Sequence, residues 1–520
     1  MEVSHLFAAT LGLVLSVGLI PLALWAEHRA ILGERPAEWH HGEARAVPRL
    51  GGAVLMIVFL VIEFWISLTG AEARDATPGR NAVVFASVAM FALGFWDDIR
   101  PIGAVEKLAG QICIAAAVWW SGVGIEVISV PFCGCTLNPG MFAPVLTIVW
   151  LVGLTNLVNL MDGADGLAGG LCFALMLLVA QVGHQQGNFE VLACGMAGAL
   201  LGFLRFNFPP ARIYLGDGGA YFLGFQIGLY SIVNSSKGAE LTALAAPLLV
   251  LALPISDALA TLLRRGILGL PLFRPDRRHL HHRLIESGCS HRRMTVRMYG
   301  LYALFLGMGY AAVWSHGKWL PSLAGAAIVA LLVCAGANRF SRRWFSVHRV
   351  IRDGLKTRAD VRHALCLSQS LQFTATRCSS ANELWRDLVS AARKLGFISI
   401  QLTLNGEVKT WGSRNCGEVF YRRFVCPNRQ HGFLDLGTRA GVPLGTQSKV
   451  SGVELSNQRS SELVGELLAE AWDKAAERLE GRGIELAFVC GISSALKRRN
   501  PDCQSDLEQL PNLAAQPPLK

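Results

Sequence analysis

Eleven long apolar runs constrain the fold of this 520-residue chain more than any other feature of its sequence. A helix that crosses a lipid bilayer needs about 20 mostly apolar residues. The runs lie at about 6–26, 50–69, 82–96, 107–123, 143–161, 167–183, 189–205, 218–234, 240–262, 296–316 and 319–337. We therefore expect an all-α polytopic membrane protein with about eleven transmembrane helices. The first run has no basic segment before it and is long for a signal peptide, so we expect it to be retained.

The placement of arginine and lysine predicts the orientation of these helices. The odd-numbered loops hold Arg29, Arg35, Arg45, Arg49, Arg100, Lys107, Arg205, Arg212, Arg264, Arg265, Arg274, Arg277, Arg278, Arg283, Arg292 and Arg293. The even-numbered loops hold only Arg74, Arg80, Lys237 and Lys318. The positive-inside rule then puts the odd loops and the C-terminus in the cytoplasm and the N-terminus outside, in a cell inner membrane. Because the basic residues lie beside apolar runs, the net charge of +10 does not indicate a nucleic-acid partner.

The composition changes after the last apolar run. Residues 1–340 are expected to form the membrane domain, and residues 350–495 a soluble cytoplasmic α+β domain. The segment "NELWRDLVSAARKLGF" has helical periodicity, whereas "ISIQLTLN" and "VFYRRFVCP" are typical of strands. A long amphipathic helix follows, with Ser460 or Ser461 as its expected N-cap. The tail 500–520 is rich in proline and glutamine and is expected to be disordered.

Six acidic residues near the apolar runs lie on the predicted cytoplasmic side, five of them at the ends of runs and one in the ninth loop. They are Asp97, Asp98, Asp162, Asp165, Asp217 and Asp276. Asn156, Asn159 and Asp162 are spaced by three, so they share a broad face of one helix. Any single motif of this kind is explained equally well as a helix cap or a turn. Several of them on one membrane face indicate a common site.

Carboxylates and amides at a hydrated membrane face suit Mg²⁺, which prefers oxygen ligands and substrate phosphates. Arginine and histidine suit phosphate oxygens. Two phosphorylated substrates would repel each other by about 4 kcal/mol per unit charge pair at 4 Å and an effective dielectric near 20, so cations are needed. This pattern predicts phosphoryl transfer between a lipid-borne and a soluble substrate. The alternative is a cation-coupled transporter, but such sites usually lie near the bilayer midplane between repeats, and no repeat is evident here.

Five segments, in this order, resemble the polyprenyl-phosphate N-acetylhexosamine-1-phosphate transferase family. They are "VPRLGG" (47–52), "GFWDDIRP" (94–101), "NLVNLMDGADGLAGG" (156–170), "FNFPPARIYLGDGGAYFLGF" (206–225) and "PDRRHLHHRL" (275–284). The resemblance implies transfer of a sugar-1-phosphate from a UDP-sugar to an undecaprenyl-phosphate-like carrier, with release of UMP and use of Mg²⁺, or Mn²⁺ in its place. The eleven runs, and Leu280 between two histidines, resemble the branch that uses UDP-N-acetylglucosamine. Such a reaction begins lipid-linked polysaccharide synthesis.

The resemblance also implies roles for individual residues. Asp217, with Asp98, would ligate the metal, and Asp97 and Asp98 would act on the lipid phosphate. The nucleotide and metal site would be lined by Asn159, Asp162, Asp165 and Asn207, with Asp162 also among the catalytic residues. Tyr214 would stack on uracil, and Arg278, His279, His281 and His282 would bind the diphosphate.

Two regions depart from the family pattern. The family usually has an Arg-Lys-x-His run in the first loop, where this chain has "EWHHGEARAVP". His40, His41 and Arg45 are the alternatives for its replacement, and Arg45 is our substrate-binding candidate. The soluble domain lies outside the common family core, and its order of strands and helices suggests a GAF-like regulatory domain. The expected partners are a UDP-sugar and a membrane polyprenyl phosphate, with a homodimer left open.

Overall fold

The computed structural model describes residues 2–29, 47–71, 80–130, 135–186, 189–235, 242–268, 284–285, 289–335, 347–404, 407–412, 419–426, 432–439, 454–484 and 486. These described residues divide into two compact units: the first takes those within 1–266 and 271–347, and the second takes those within 267–270 and 348–520. The tail 500–520 and the first-loop residues 30–46 lie outside the described residues.

The described part of the first unit is helical apart from one short hairpin. Its helices are α1 (Glu2–Arg29), α2 (Gly51–Thr69), α3 (Arg80–Ile99), α4 (Ala104–Trp120), α5 (Ala143–Met161), α6 (Leu167–Gln186), α7 (Glu190–Asn207), α8 (Gly216–Ser235), α9 (Thr242–Val250), α10 (Ala252–Leu268), α11 (His291–Trp314) and α12 (Leu320–Ala335). Strands β1 (Ile128–Val130) and β2 (Cys135–Leu137) pair antiparallel between α4 and α5. Each predicted apolar run coincides with one of these helices, or with a pair in the case of the ninth.

Seven of the described helices are long and apolar enough to cross a membrane, and α9 with α10 makes an eighth if the pair is one span. Three more of the eleven predicted spans are not among these: α4 has only 17 residues and α12 only 16, whereas α8 has 20 residues but is less apolar. The ninth run was predicted as one continuous span, but α9 and α10 are bent by 70° at their junction. Pro254 explains the break, because its ring lacks an N–H donor and clashes with the carbonyl group four residues earlier.

Helix α8 is the centre of this unit. Every one of its residues except Asp217 is buried, and it packs against α2, α3, α5, α6 and α9. A helix that is surrounded on all sides can hold its first residues at a fixed place in the bundle. The position of α8 therefore decides where Asp217 lies.

An ion pair inside the bundle accounts for Glu63, an acidic residue within a predicted span. The guanidinium group of Arg80, at the start of α3, donates to Glu63 Oε2 at 2.9 Å and lies 5.5 Å from the ring centroid of Phe189. Both side chains of the pair are mostly buried, at 12% and 11% exposure. Ionisable groups in a membrane interior are expected to pair in this way.

The second unit is built from α13 (Val347–Ala375), α14 (Ala381–Lys394), β3 (Ser399–Leu404), β4 (Glu407–Gly412), β5 (Val419–Val425), β6 (Phe433–Arg439) and α15 (Glu454–Glu480). Its antiparallel sheet has the order β4-β3-β6-β5. Ile400, Leu402 and Leu404 alternate along β3 and join the helices in one apolar core. Ser460 and Ser461 were wrongly predicted as an N-cap, since α15 begins at Glu454, ahead of its apolar periodicity.

The contact between α1 and α7 generates a prediction for stability. A Cβ atom at Gly198 would lie 2.0 Å from the carbonyl oxygen of Ala9, whereas one at Gly153 in α5 would meet nothing within 4 Å. Gly198→Ala should therefore destabilise the protein by about 1–3 kcal/mol, because backbone must move. Gly153→Ala should be neutral or stabilising, because alanine favours helix. Thermal unfolding of the detergent-purified variants measures both, and equal melting temperatures would contradict this packing.

Candidate functional site

Four chain segments meet at the N-terminal end of α8. They are the last turn of α3 with Asp97 and Asp98, the first turn of α4 with Lys107, the last turn of α5 with Asn159, and the first turn of α8 with Asp217. Only residues 100–103 separate α3 from α4, so the end of one helix lies beside the start of the next. The sequence-predicted aspartates therefore gather at one end of the central helix.

Asp217 is the most accessible carboxylate of this group. Its side chain is 30% exposed, whereas those of Asp97 and Asp98 are 3% and 5% exposed. Asn159 Nδ2 donates to Asp217 Oδ1 at 2.9 Å, and Lys107 Nζ lies 3.7 Å from Asp217 Oδ2. Asp217 therefore has a fixed orientation and still presents an oxygen to an approaching ligand.

Asp97 faces Asp217 and shares its cation. The two carboxyl groups are within hydrogen-bonding distance of each other, and Lys107 forms an ion pair with Asp97 as well. The N–H of Ile102 donates to Asp97 Oδ1 at 3.0 Å. Two carboxylates so close require a proton or a cation between them. Lys107 provides that positive charge.

Asp98 has different surroundings although it is the next residue. Its Oδ1 accepts the N–H of Asp217 at 3.1 Å, and its Oδ2 accepts the N–H of Gly218 at 3.0 Å. Arg49 lies 3.6 Å from Asp98 Oδ1. The carboxylate thus caps the start of α8, where free N–H groups and the helix dipole favour a negative charge.

Asp162 follows the last residue of α5 and accepts the N–H of Gly216. Burial raises the pKa of Asp162 well above its ordinary value, and the negative charges of Asp217 and Asp98 act in the same direction. Arg49 and the Gly216 N–H lower it. The cluster is therefore crowded with negative charge and would accept a further cation.

Asp165 and Asn207 join two connecting segments beside this cluster. Asp165 Oδ2 accepts the N–H of Ala211 at 3.0 Å. Asn207 Oδ1 accepts the N–H of Gly166 at 3.0 Å, and its Nδ2 donates to the carbonyl of Ile213 at 2.8 Å. Both side chains are buried. In this structure they hold the segments 162–166 and 208–215 together.

The backbone of Tyr214 connects the same region to "VPRLGG". Its N–H donates to the carbonyl of Pro48 at 2.8 Å, and its own carbonyl accepts the N–H of Gly51 at 2.9 Å. The Tyr214 side chain is half-buried. The remaining predicted site residues lie outside the described residues: Arg45, Arg278, His279, His281 and His282.

Sequence reasoning counted two site residues, Lys107 and Arg49, only as loop charges. Lys107 contacts two carboxylates of the cluster, and Arg49 contacts a third. The short connection between α3 and α4 was a usable signal for Lys107, because a turn of four residues brings the two helix ends together. For Arg49 the sequence offers no comparable signal, since its partner is 49 residues away.

The carboxylates of the cluster supply only part of the ligands that a metal ion needs. Within the described ranges, no group of three or more His, Cys, Asp and Glu side chains is arranged to hold a metal ion. Mg²⁺, however, is usually bound through one or two carboxylates, with substrate phosphates and water as its other ligands. The facing carboxyl groups of Asp97 and Asp217 match that smaller requirement.

Comparison with known proteins gives one family model, described as "Glycosyl transferase family 4", which matches residues 81–235. The matched segment contains Asp97, Asp98, Lys107, Asn159 and Asp217, and therefore the carboxylate cluster. The match begins in α3 and ends with α8.

Three relatives show how far the similarity extends. A probable undecaprenyl-phosphate N-acetylglucosaminyl 1-phosphate transferase of Bacillus subtilis (strain 168) is 31% identical over 263 residues, covering 50% of this chain and 72% of the relative. A decaprenyl-phosphate N-acetylglucosaminephosphotransferase of Mycolicibacterium smegmatis is 32% identical over 313 residues, covering 55% and 77%. A phospho-N-acetylmuramoyl-pentapeptide-transferase of Latilactobacillus sakei is 31% identical over 240 residues, covering 43% and 73%.

The position of Lys107 between two carboxylates predicts a pH-dependent effect on stability. Lys107→Met should lower stability by about 2 kcal/mol at pH 8, less than for a fully buried pair because the ammonium is partly exposed. At pH 5 the loss should be smaller, since a proton can replace the missing cation between the carboxyl groups. Thermal unfolding at both pH values measures this. The exposed Lys318→Met is the control, and a loss that is equal at both pH values would contradict the charge argument.

Proposed function

We propose that this chain, which belongs to the polyprenyl-phosphate N-acetylhexosamine-1-phosphate transferase family, transfers N-acetylglucosamine-1-phosphate from a UDP-sugar to undecaprenyl phosphate and releases UMP. The chain is a multi-pass membrane protein and a glycosyl-1-phosphate transferase. The observation that supports the specific reaction is the cluster of Asp97, Lys107, Asn159 and Asp217 inside the family-matched segment. It gathers the charges that a phosphoryl transfer needs.

We further propose that Mg²⁺, or Mn²⁺ in its place, is held by Asp217 and Asp97. When bound, the metal would neutralise charge on the substrate diphosphate. Asn159 keeps Asp217 in a fixed orientation through its amide hydrogen bond. Asp98, expected from the sequence as a second ligand, directs both oxygens to the N–H groups of α8 instead.

The chain's own cations would then position the phosphates. Lys107 is 27% exposed and lies at the mouth of the cluster, so its ammonium group can contact a phosphate oxygen while it stays near Asp97. Such contacts favour transfer because they stabilise charge in the transition state. For Tyr214 we retain stacking on uracil, and for Arg278, His279, His281 and His282 binding of the diphosphate.

The proposed topology has eleven spans, an outside N-terminus and a cytoplasmic site in the inner membrane. Cys135 is disulfide-bonded, and it lies in the β1–β2 hairpin that follows α4. Disulfides persist in oxidising compartments and are rare in the cytosol. Because Lys107 is at the opposite end of α4, the disulfide supports a cytoplasmic position for the site. No observation favours the transporter alternative, since the carboxylates gather at one end of α8.

The proposed reaction predicts a strict need for Asp217. Asp217→Asn should lower turnover by roughly a hundredfold or more, because a neutral amide is a poor metal ligand. UMP release from a UDP-sugar, with and without polyprenyl phosphate and Mg²⁺, measures this on purified protein. Glu126→Gln, an exposed acid outside the cluster, is the matched control. Near-normal turnover in a well-inserted Asp217→Asn protein would remove Asp217 from the proposed role.

The sugar is a separate prediction. We expect UDP-N-acetylglucosamine to be the preferred donor, UDP-N-acetylgalactosamine the second, and UDP-N-acetylmuramyl pentapeptide a poor third. Leu280 separates two histidines of the ninth loop and offers no hydrogen-bond donor. Competition of the three donors at equal concentration, with lipid products identified by mass, measures the preference. Dominance of the muramyl-pentapeptide lipid would assign the protein to cell-wall precursor synthesis instead.

A further inference from the structure

We propose that Asp98 is a positioning residue: it fixes the start of α8, and through it Asp217, and it contacts neither the metal nor the lipid phosphate. This inference rests on the proposed function of the site. It separates two adjacent aspartates that the sequence treats alike. Asp97 faces Asp217 and Lys107 across the cluster, whereas Asp98 faces the backbone of another helix.

Hydrogen bonds hold Asp98 against the start of α8. Each of its two oxygens accepts a backbone N–H from the first turn of α8, at 3.1 and 3.0 Å. These N–H groups have no partner within their own helix. A buried carboxylate that satisfies two of them is held strongly, because the helix dipole adds to both hydrogen bonds. Each oxygen keeps a second lone pair, but turning toward a metal or a phosphate would weaken the hydrogen bonds to two buried donors.

Close packing between α3 and the start of α8 also keeps Asp98 in place. A Cβ atom at Gly216 would lie 2.7 Å from Asp98 Oδ2, and one at Gly94 would lie 2.5 Å from the carbonyl oxygen of Asp217. Gly216 also has a left-handed φ of 76°, which favours glycine. The last turns of α3 therefore rest directly on the start of α8. Asp98 has little room to rotate toward another ligand.

Arg49 balances the charge from a third side. Its guanidinium group is 3.6 Å from Asp98 Oδ1. The segment that carries Arg49 is fixed by hydrogen bonds from the N–H groups of Gly51 and Gly52 to the carbonyls of Tyr214 and Leu215. Asp98 thus joins α3, the segment before α2 and the start of α8. The segment "VPRLGG" therefore places Arg49 beside Asp98.

The position of Asp217 depends on Asp98. Its backbone is held by Asp98 and its side chain by Asn159, so losing the first hold should displace the carboxylate. An asparagine at position 98 has one acceptor oxygen, and its amide nitrogen would confront an N–H donor. Asp98→Asn should therefore lower activity, but only as far as Asp217 contributes to it.

The first experiment is a double-mutant cycle for UMP release at saturating substrates and Mg²⁺. Asp98→Asn alone should lower turnover by roughly tenfold or more, and it should lower the residual turnover of Asp217→Asn by less than about twofold. Losses that multiply would overturn the inference, because they would show Asp98 acting on substrate or metal independently. The control is Ser87→Ala, which removes a different α3–α8 hydrogen bond, to Gln226, and should leave turnover within about twofold.

The second experiment does not depend on turnover. Hydrogen exchange of purified protein, followed by mass spectrometry on peptides that cover residues 216–222, reports the N–H groups that Asp98 accepts. Asp98→Asn should speed exchange there, whereas Ser87→Ala should not. Unchanged exchange in Asp98→Asn would overturn the inference. A wild-type protein that releases no UMP would defeat the proposed function while this measurement still decides the hold on α8.

Discussion

The repulsion among four aspartates around the start of α8 is the constraint on which the rest of the first, helical unit depends. Asp97, Asp98, Asp162 and Asp217 act on one another electrostatically. Their negative charges are balanced in two ways. Lys107 lies beside Asp97 and Asp217, and backbone N–H groups donate to Asp98 and Asp162. A buried charge without such partners costs several kcal/mol, so the helices that supply the partners must keep their places.

The helix bundle meets that demand by packing around its central helix. Helix α8 is enclosed by its neighbours, and Gly52, Gly94 and Gly219 let backbones approach where a side chain would not fit. Small residues serve the same purpose in membrane helix packing generally. The Glu63–Arg80 ion pair lies between α2 and α3, whose opposite ends lead to Arg49 and Asp98. Packing and charge balance therefore depend on the same few helix contacts.

Much of the fold could be predicted because the bilayer leaves few alternatives: an apolar run of this length can satisfy its backbone only as a helix. The break between α9 and α10 was missed, although Pro254 and Pro247 were visible. Pairings between distant segments were not predictable in this way. Glu63 had no evident partner until α3 placed Arg80 beside it, and the α15 N-cap was misplaced because periodicity does not mark helix ends.

The site shows the same limit at finer scale. Sequence and family resemblance predict that carboxylates and substrate phosphates meet here, but they do not distinguish the roles of Asp97 and Asp98. Successive helix residues point about 100° apart, so neighbours in sequence face different surroundings. Only packing decides that Asp98 meets the start of α8 while Asp97 meets Lys107. In the proposed reaction the two adjacent aspartates therefore have different roles: Asp97 faces the reacting groups, and Asp98 holds Asp217 where its 30% exposed side chain can be reached.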